Sequence, residues 1–180
     1  MKKLMFMLAA VAVAACTQAA SVSWTCTNVK DGTGSAISGI AYFVNAATLS
    51  QSDLAALSGA SAFTTALSGM YSWTPETAGK YTNADGVANA TLGLADETAN
   101  QVYLVVFDTA TITDTSKYYT TEVKSVTTYS GTETAQIKWG SQSTPSQAAG
   151  AWTAVSVPEP TSGLLMLVGL AGLALRRRRA

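Results

Sequence analysis

Carboxylates are the main catalytic material in this chain, because its 180 residues contain no histidine. Without histidine there is no imidazole general base, no Ser-His-Asp or Cys-His nucleophile system, and no imidazole metal ligand. Asp96 and Glu97 are adjacent, so on a strand they would diverge, and in a loop they would form a solvated turn. Asp108 and Asp114 flank a Thr-rich loop, and Asn83 and Asp85 sit in a turn. Either pair could offer oxygen ligands to Ca²⁺, but neither has the density of an EF-hand loop. A glycosidase needs two spaced carboxylates, which only the fold can assemble. No Ser-x-x-Lys, phosphate-binding Gly-Lys-Ser/Thr loop or HExxH pattern occurs. The expectation is a non-enzyme with no catalytic residue, no cofactor and no metal centre.

Cys26 stands two residues from Trp24 in an alternating segment, which suits a buried small hydrophobe better than a reactive thiol. Trp24, Tyr42, Trp73, Tyr118, Tyr119, Trp139 and Trp152 could stack on sugar rings, with core packing as the competing role. Asn89-Ala90-Thr91 fits a glycosylation sequon.

The charge distribution excludes one partner class. The 11 basic and 11 acidic residues balance overall, but Lys2, Lys3 and Arg176 to Arg179 place six of the bases at the ends. Residues 20–156 keep five lysines against ten acids, a balance of 5 − 10 = −5. Nucleic acid is therefore not an expected partner, since phosphate binding needs clustered Lys and Arg.

The N-terminus has the layout of a secretory signal: Lys2 and Lys3, an apolar run over 4–13, then small residues. Cleavage between Ala19 and Ala20 puts Thr17 and Ala19 at the small-residue positions, so 1–19 is the expected signal peptide. Signal peptidase and the general secretion machinery are the partners this implies. Val13-Ala14-Ala15-Cys16 also resembles a bacterial lipobox, in which Cys16 would be lipidated.

At the other end the chain reads Val157-Pro158-Glu159-Pro160, then Thr161-Ser162-Gly163, then an apolar run over 164–175, then Arg176, Arg177, Arg178 and Arg179. The two prolines exclude a regular helix or central strand, leaving an extended, accessible segment. Residues 161–175 would make a helix of roughly 22 Å. That is shorter than a hydrocarbon core of roughly 30 Å, a gap that snorkelling arginines and local thinning can close. The arginines would stay cytoplasmic and the body outside.

These three parts, in this order, resemble the PEP-CTERM sorting signal of exosortase substrates in Gram-negative bacteria. The resemblance covers 157–180. It implies retention in the inner membrane by the C-terminal helix and processing at the motif by an exosortase-like, thiol transpeptidase-like enzyme. Transfer to the outer surface or the extracellular matrix would follow.

Between the ends, with charge sparse at 12%, short β-branched and aromatic runs alternate with Gly, Asn and Asp. Strands are expected over 21–27, 40–44, 87–92, 102–107, 117–128, 135–139 and 152–157. In 21–27, Val22, Trp24 and Cys26 face one way. In 102–107 both faces are apolar, so that strand should be central and covered on both sides. Ser50-Gln51-Ser52-Asp53 resembles a capping box, and Phe63 and Leu67 share a helical face before Gly69, so 50–68 reads as a helical insertion. The polar segment 140–150 reads as a loop or spacer. The expected fold is all-β, a β-sandwich-like body over 20–156, flanked by the signal segment and the C-terminal hydrophobic helix.

Residues 39–44, 82–88 and 102–106 also resemble the prealbumin-like and immunoglobulin-like modules of secreted bacterial proteins. In those modules an Asx-Gly turn joins two strands. The expectation for function is an exported surface or matrix protein with a structural or adhesive body. The alternatives are a module that binds exopolysaccharide and an envelope hydrolase whose carboxylates converge in the fold.

Overall fold

The computed structural model describes residues 19–31, 33–140 and 152–155. The chain order is β1 (Ser21–Cys26), β2 (Ala41–Asn45), α1 (Gln51–Ala55), α2 (Ala60–Ala66), β3 (Ser72–Trp73), β4 (Tyr81–Ala88), β5 (Ala99–Phe107), β6 (Lys117–Thr120), β7 (Lys124–Thr127), β8 (Thr134–Trp139) and β9 (Thr153–Ala154). The strands form two sheets, one ordered β4-β1-β8 and one ordered β3-β2-β5-β6-β9, with β7 also paired to β5. This is the all-β, sandwich-like body expected, with the helical insertion in its expected place.

β5 organises the layers. Val102, Leu104 and Val106 face the other sheet and pack with Val22, Trp24, Cys26, Phe43, Ile137 and Trp139. Tyr103, Val105 and Phe107 face the opposite way, onto Leu54, Phe63 and Leu67 of the helical insertion. The period of two along a strand explains why one strand feeds two cores. β1 alternates as its sequence implies, with Val22, Trp24 and Cys26 buried between the sheets. It pairs antiparallel with β4 and parallel with β8.

The short helices are held by their ends and by apolar anchors. Ser50 Oγ accepts the Asp53 N–H at 3.1 Å and donates to Asp53 Oδ2 at 2.7 Å. This caps α1 on its free N–H groups. Leu54 and Phe63 are each at most 1% exposed, and Phe63 meets Phe107 edge-on at 5.9 Å.

Three strand boundaries differ from the sequence expectation. The strand expected over 117–128 is broken at Thr121–Val123, and β6 and β7 both pair with β5. From Val105 to Val102 β5 takes three steps, while its partner takes four from Thr120 to Lys124. The extra residue is absorbed at buried Thr121, whose Oγ1 accepts the Leu104 N–H at 2.9 Å. The expected strand over 87–92 is instead the end of β4 followed by turns. The Asn83–Gly86 stretch does not join two strands. It lies inside β4, as a bulge opposite the register shift between Val22 and Trp24. Gly86 has φ +79°, and its N–H donates to Asn83 Oδ1 at 3.0 Å. β3, which was not expected, pairs with Ala41 and Tyr42 of β2. Of the last expected strand, 153–154 is β9, and 156–157 lies outside the described residues.

Leu104 is fully buried at the centre of the inter-sheet core. Leu104→Ala should lower unfolding stability by about 2–5 kcal/mol in a urea titration of the protein. Burial, with Cys26 nearby, raises the Tyr81 phenol above its ordinary 10.0. Burial, with Asp53 and Tyr118 nearby, does the same for Tyr103. A folded-state pKa above the unfolded value means stability fully present below pH 10 and lost as pH rises towards the folded-state value. In an alkaline titration, phenolate absorbance from these two tyrosines should appear only together with loss of the near-ultraviolet circular dichroism signal.

Candidate functional site

After β3, the chain makes a tight excursion over 74–80 and returns as β4. A Thr77–Lys80 bridge closes it, and Gly79 N–H donates to Ile37 O at 2.6 Å. Between this excursion and β4 lies a cleft of about 450 Å³. Its chemical groups are the Trp73 indole, the Glu76 and Asp85 carboxylates, the Lys80 ammonium, the Asn83 amide and the Thr82 hydroxyl.

Trp73 is fixed from behind. Its ring lies 5.0 Å from Trp24, 5.8 Å from Tyr71 and 6.4 Å from Tyr81. Asn83 is held at both ends of its amide, donating to the Tyr71 hydroxyl at 3.2 Å and accepting from Gly86. The Trp73 Nε1–H and Thr82 Oγ1 are shielded from solvent and have no hydrogen-bond partner in the protein. Two smaller depressions share lining residues with the cleft. One of about 280 Å³ shares Lys80, and one of about 150 Å³, reaching Thr25 and Gln136, shares Asn83 and Ala84.

Most of the other candidate residues serve the fold. Trp24, Tyr118, Tyr119 and Trp139 are buried, and Tyr42 is half-buried against Phe107. The Trp139 and Trp152 indoles donate to Glu122 O at 2.9 Å and Lys30 O at 2.7 Å. Cys26 is buried on β1. Asp108 accepts the Lys117 N–H at 2.8 Å, closing its own loop, and Asp114 accepts the Ala60 N–H at 2.8 Å, tying that loop to the start of α2. Asp96 accepts from Asn89 Nδ2 at 2.7 Å, and Glu97, at φ +54°, accepts the Ser130 hydroxyl. Among the described residues, no group of three His, Cys, Asp or Glu is placed to hold a metal ion. Trp73, Asn83 and Asp85 are the sequence candidates brought together. Glu76, Lys80 and Thr82 do not stand out in the sequence, since their types are common and Pro75 and Gly79 mark only a turn.

Ala19 is exposed and Ala20 is buried, its carbonyl accepting the Asn89 N–H at 3.0 Å. Residues 1–18, Val157 to Pro160, the stretch 161–175 and Arg176 to Arg179 lie outside the described residues. Among the described residues, no helix is long and apolar enough to cross a membrane. Val155 is the last described residue. It is 1% exposed, and its N–H donates to Ser116 O at 2.9 Å.

Immediately after it, residues 156–179 match the PEP-CTERM protein-sorting motif. No curated protein and no solved structure matches the chain. The motif is a signal for export and sorting to the cell envelope, read by an exosortase-type processing enzyme.

The sequon asparagine is not presented for modification. Asn89 is 3% exposed, and its Nδ2 donates to Asp96 Oδ1 and to Tyr129 O. Asn89→Ala should cost about 1–3 kcal/mol of stability in urea, because it strands these acceptors. Peptide mapping of the cell-derived protein should find Asn89 unmodified.

Proposed function

We propose that this chain is an exported cell-surface or extracellular-matrix protein whose body has a structural or adhesive, non-enzymatic role. Signal peptidase separates Ala19 from Ala20. The 161–175 helix holds the chain in the inner membrane, with Arg176 to Arg179 on the cytoplasmic side. An exosortase-type enzyme then acts at Val157 to Pro160, and the body passes to the outer surface or matrix.

The observation that carries this reading is the sorting motif at 156–179, joined directly to a folded β-body at Val155. The physical logic of the tail is consistent with it. Each arginine at a bilayer centre costs about 2.5–3.5 kcal/mol on an insertion scale, so the helix stops before Arg176. Pro158 and Pro160 lack backbone N–H groups and have fixed φ, so Val157 to Pro160 presents a stiff, extended shape to an enzyme groove. In the body, Asp96, Asp108 and Asp114 already accept hydrogen bonds that hold loops in place, which favours a structural use of these carboxylates.

The Pro158→Ala, Pro160→Ala double variant should stay membrane-bound and unprocessed in cell fractionation. Deletion of 164–179 should release the body unsorted into the periplasm. Surface delivery of the double variant at the native level would replace this reading with a plain tail anchor.

A further inference from the structure

We infer that the cleft between the 74–80 excursion and β4 binds a neutral or amino-bearing polysaccharide. The inference rests on the reading of the body as an exported, non-enzymatic module and gives it a partner class.

The lining decides the ligand chemistry. No Val, Leu, Ile or Met side chain lines the central cleft, which disfavours a lipid or an apolar peptide segment. Lys80 stands against Glu76 and Asp85, and the body as a whole carries −5, so a polyanion meets net repulsion. What remains is a ligand rich in hydroxyl or amine groups with an apolar ring face. An indole beside carboxylates, an amide and a hydroxyl offers one contact for such a ring and several for its polar edge.

The geometry adds preorganisation. Trp73 is wedged against Trp24, Tyr71 and Tyr81, and Asn83 is held by Tyr71 and Gly86, so little side-chain freedom is lost on binding. The cleft volume of about 450 Å³ suits a small-molecule-sized unit.

Native gel electrophoresis of the full chain in detergent, through gels containing a soluble β-glucan, a galactomannan, chitosan or polygalacturonate, tests the inference. Retardation is expected in at least one of the first three gels and not in polygalacturonate. Glu76→Gln with Asp85→Asn should weaken it by about tenfold while the melting temperature stays near native, and Trp73→Phe should weaken it similarly. Ser61→Ala, on the exposed face of α2, should leave it unchanged. Retardation in none of the gels, retardation only in polygalacturonate, or retardation that both cleft variants retain would overturn the assignment. Release of reducing ends from a retained polymer would also overturn it, in favour of a hydrolase. Sorting is scored separately by fractionation. A surface-delivered protein that binds none of these polymers refutes the cleft assignment alone, and a failure of sorting refutes the broader reading.

Discussion

The fold depends on one constraint: β5 is apolar on both faces and must be covered on both. Six consecutive residues, Val102 to Phe107, are fully buried. A single second sheet could cover only Val102, Leu104 and Val106. Tyr103, Val105 and Phe107 require another layer, which α1 and α2 supply from their position between β2 and β3. Polar contacts fix that layer. The Tyr103 hydroxyl donates to Leu49 O at 2.8 Å just before α1, and Gln51 Nε2 donates to Thr121 O at 2.7 Å at the β6–β7 break. The helices are therefore tied to both ends of the problem they solve.

The cleft follows from the same arrangement. With β5 central, β2 pairs along it, and β3 adds two residues to the outer side of β2. That places Trp73 at the margin of the inter-sheet core, where Trp24 and Phe43 extend the aromatic cluster inward at 5.0 Å and 4.8 Å. Gly39 permits the close approach at the start of β2, since a Cβ there would lie 1.8 Å from the Phe107 carbonyl oxygen. The Tyr81 hydroxyl donates to the Gly39 carbonyl at 3.0 Å, drawing β4 to the same point. Trp73 and the bulged part of β4 thus face one another because the core beneath them is closed.

Local pattern made part of this legible. The alternation of Val22, Trp24 and Cys26, and of Ala135, Ile137 and Trp139, was enough to identify β1 and β8 and their buried faces. The capping residues Ser50 and Asp53 and the Phe63–Leu67 pair marked both helices. Where side chains replace backbone partners, the pattern misleads. Thr121 accepts the Leu104 N–H in place of a carbonyl and so splits a run that reads as one strand. Asn83 and Gly86 have turn chemistry, yet the turn is a bulge within β4. β3, with two residues, has no period to detect. The parallel pairing of Ser21 with Thr134 joins segments separated by most of the chain, and no local signal specifies it. The cleft was invisible for the same reason, because Trp73 and Asp85 become a site only through the excursion over 74–80.

The junction between body and sorting motif sets the remaining constraint. Trp152 packs on Tyr119 at 6.1 Å and donates to Lys30 O, and β9 adds to β6. Val155 then closes the helix-side core, a burial that contributes about 1.5–3 kcal/mol. The Ser116 carbonyl holds Val155, while its hydroxyl lies 2.7 Å from Thr109 Oγ1 and accepts the Thr113 N–H at 2.9 Å. The end of the body is thus knotted to the 109–116 loop. From Val155 to Pro158 there are three residues, at most roughly 10 Å of chain. An enzyme that reads Pro158 to Pro160 must therefore work beside this loop. Cleavage on the C-terminal side of Val155 would leave every contact of Trp152, β9 and Val155 in place.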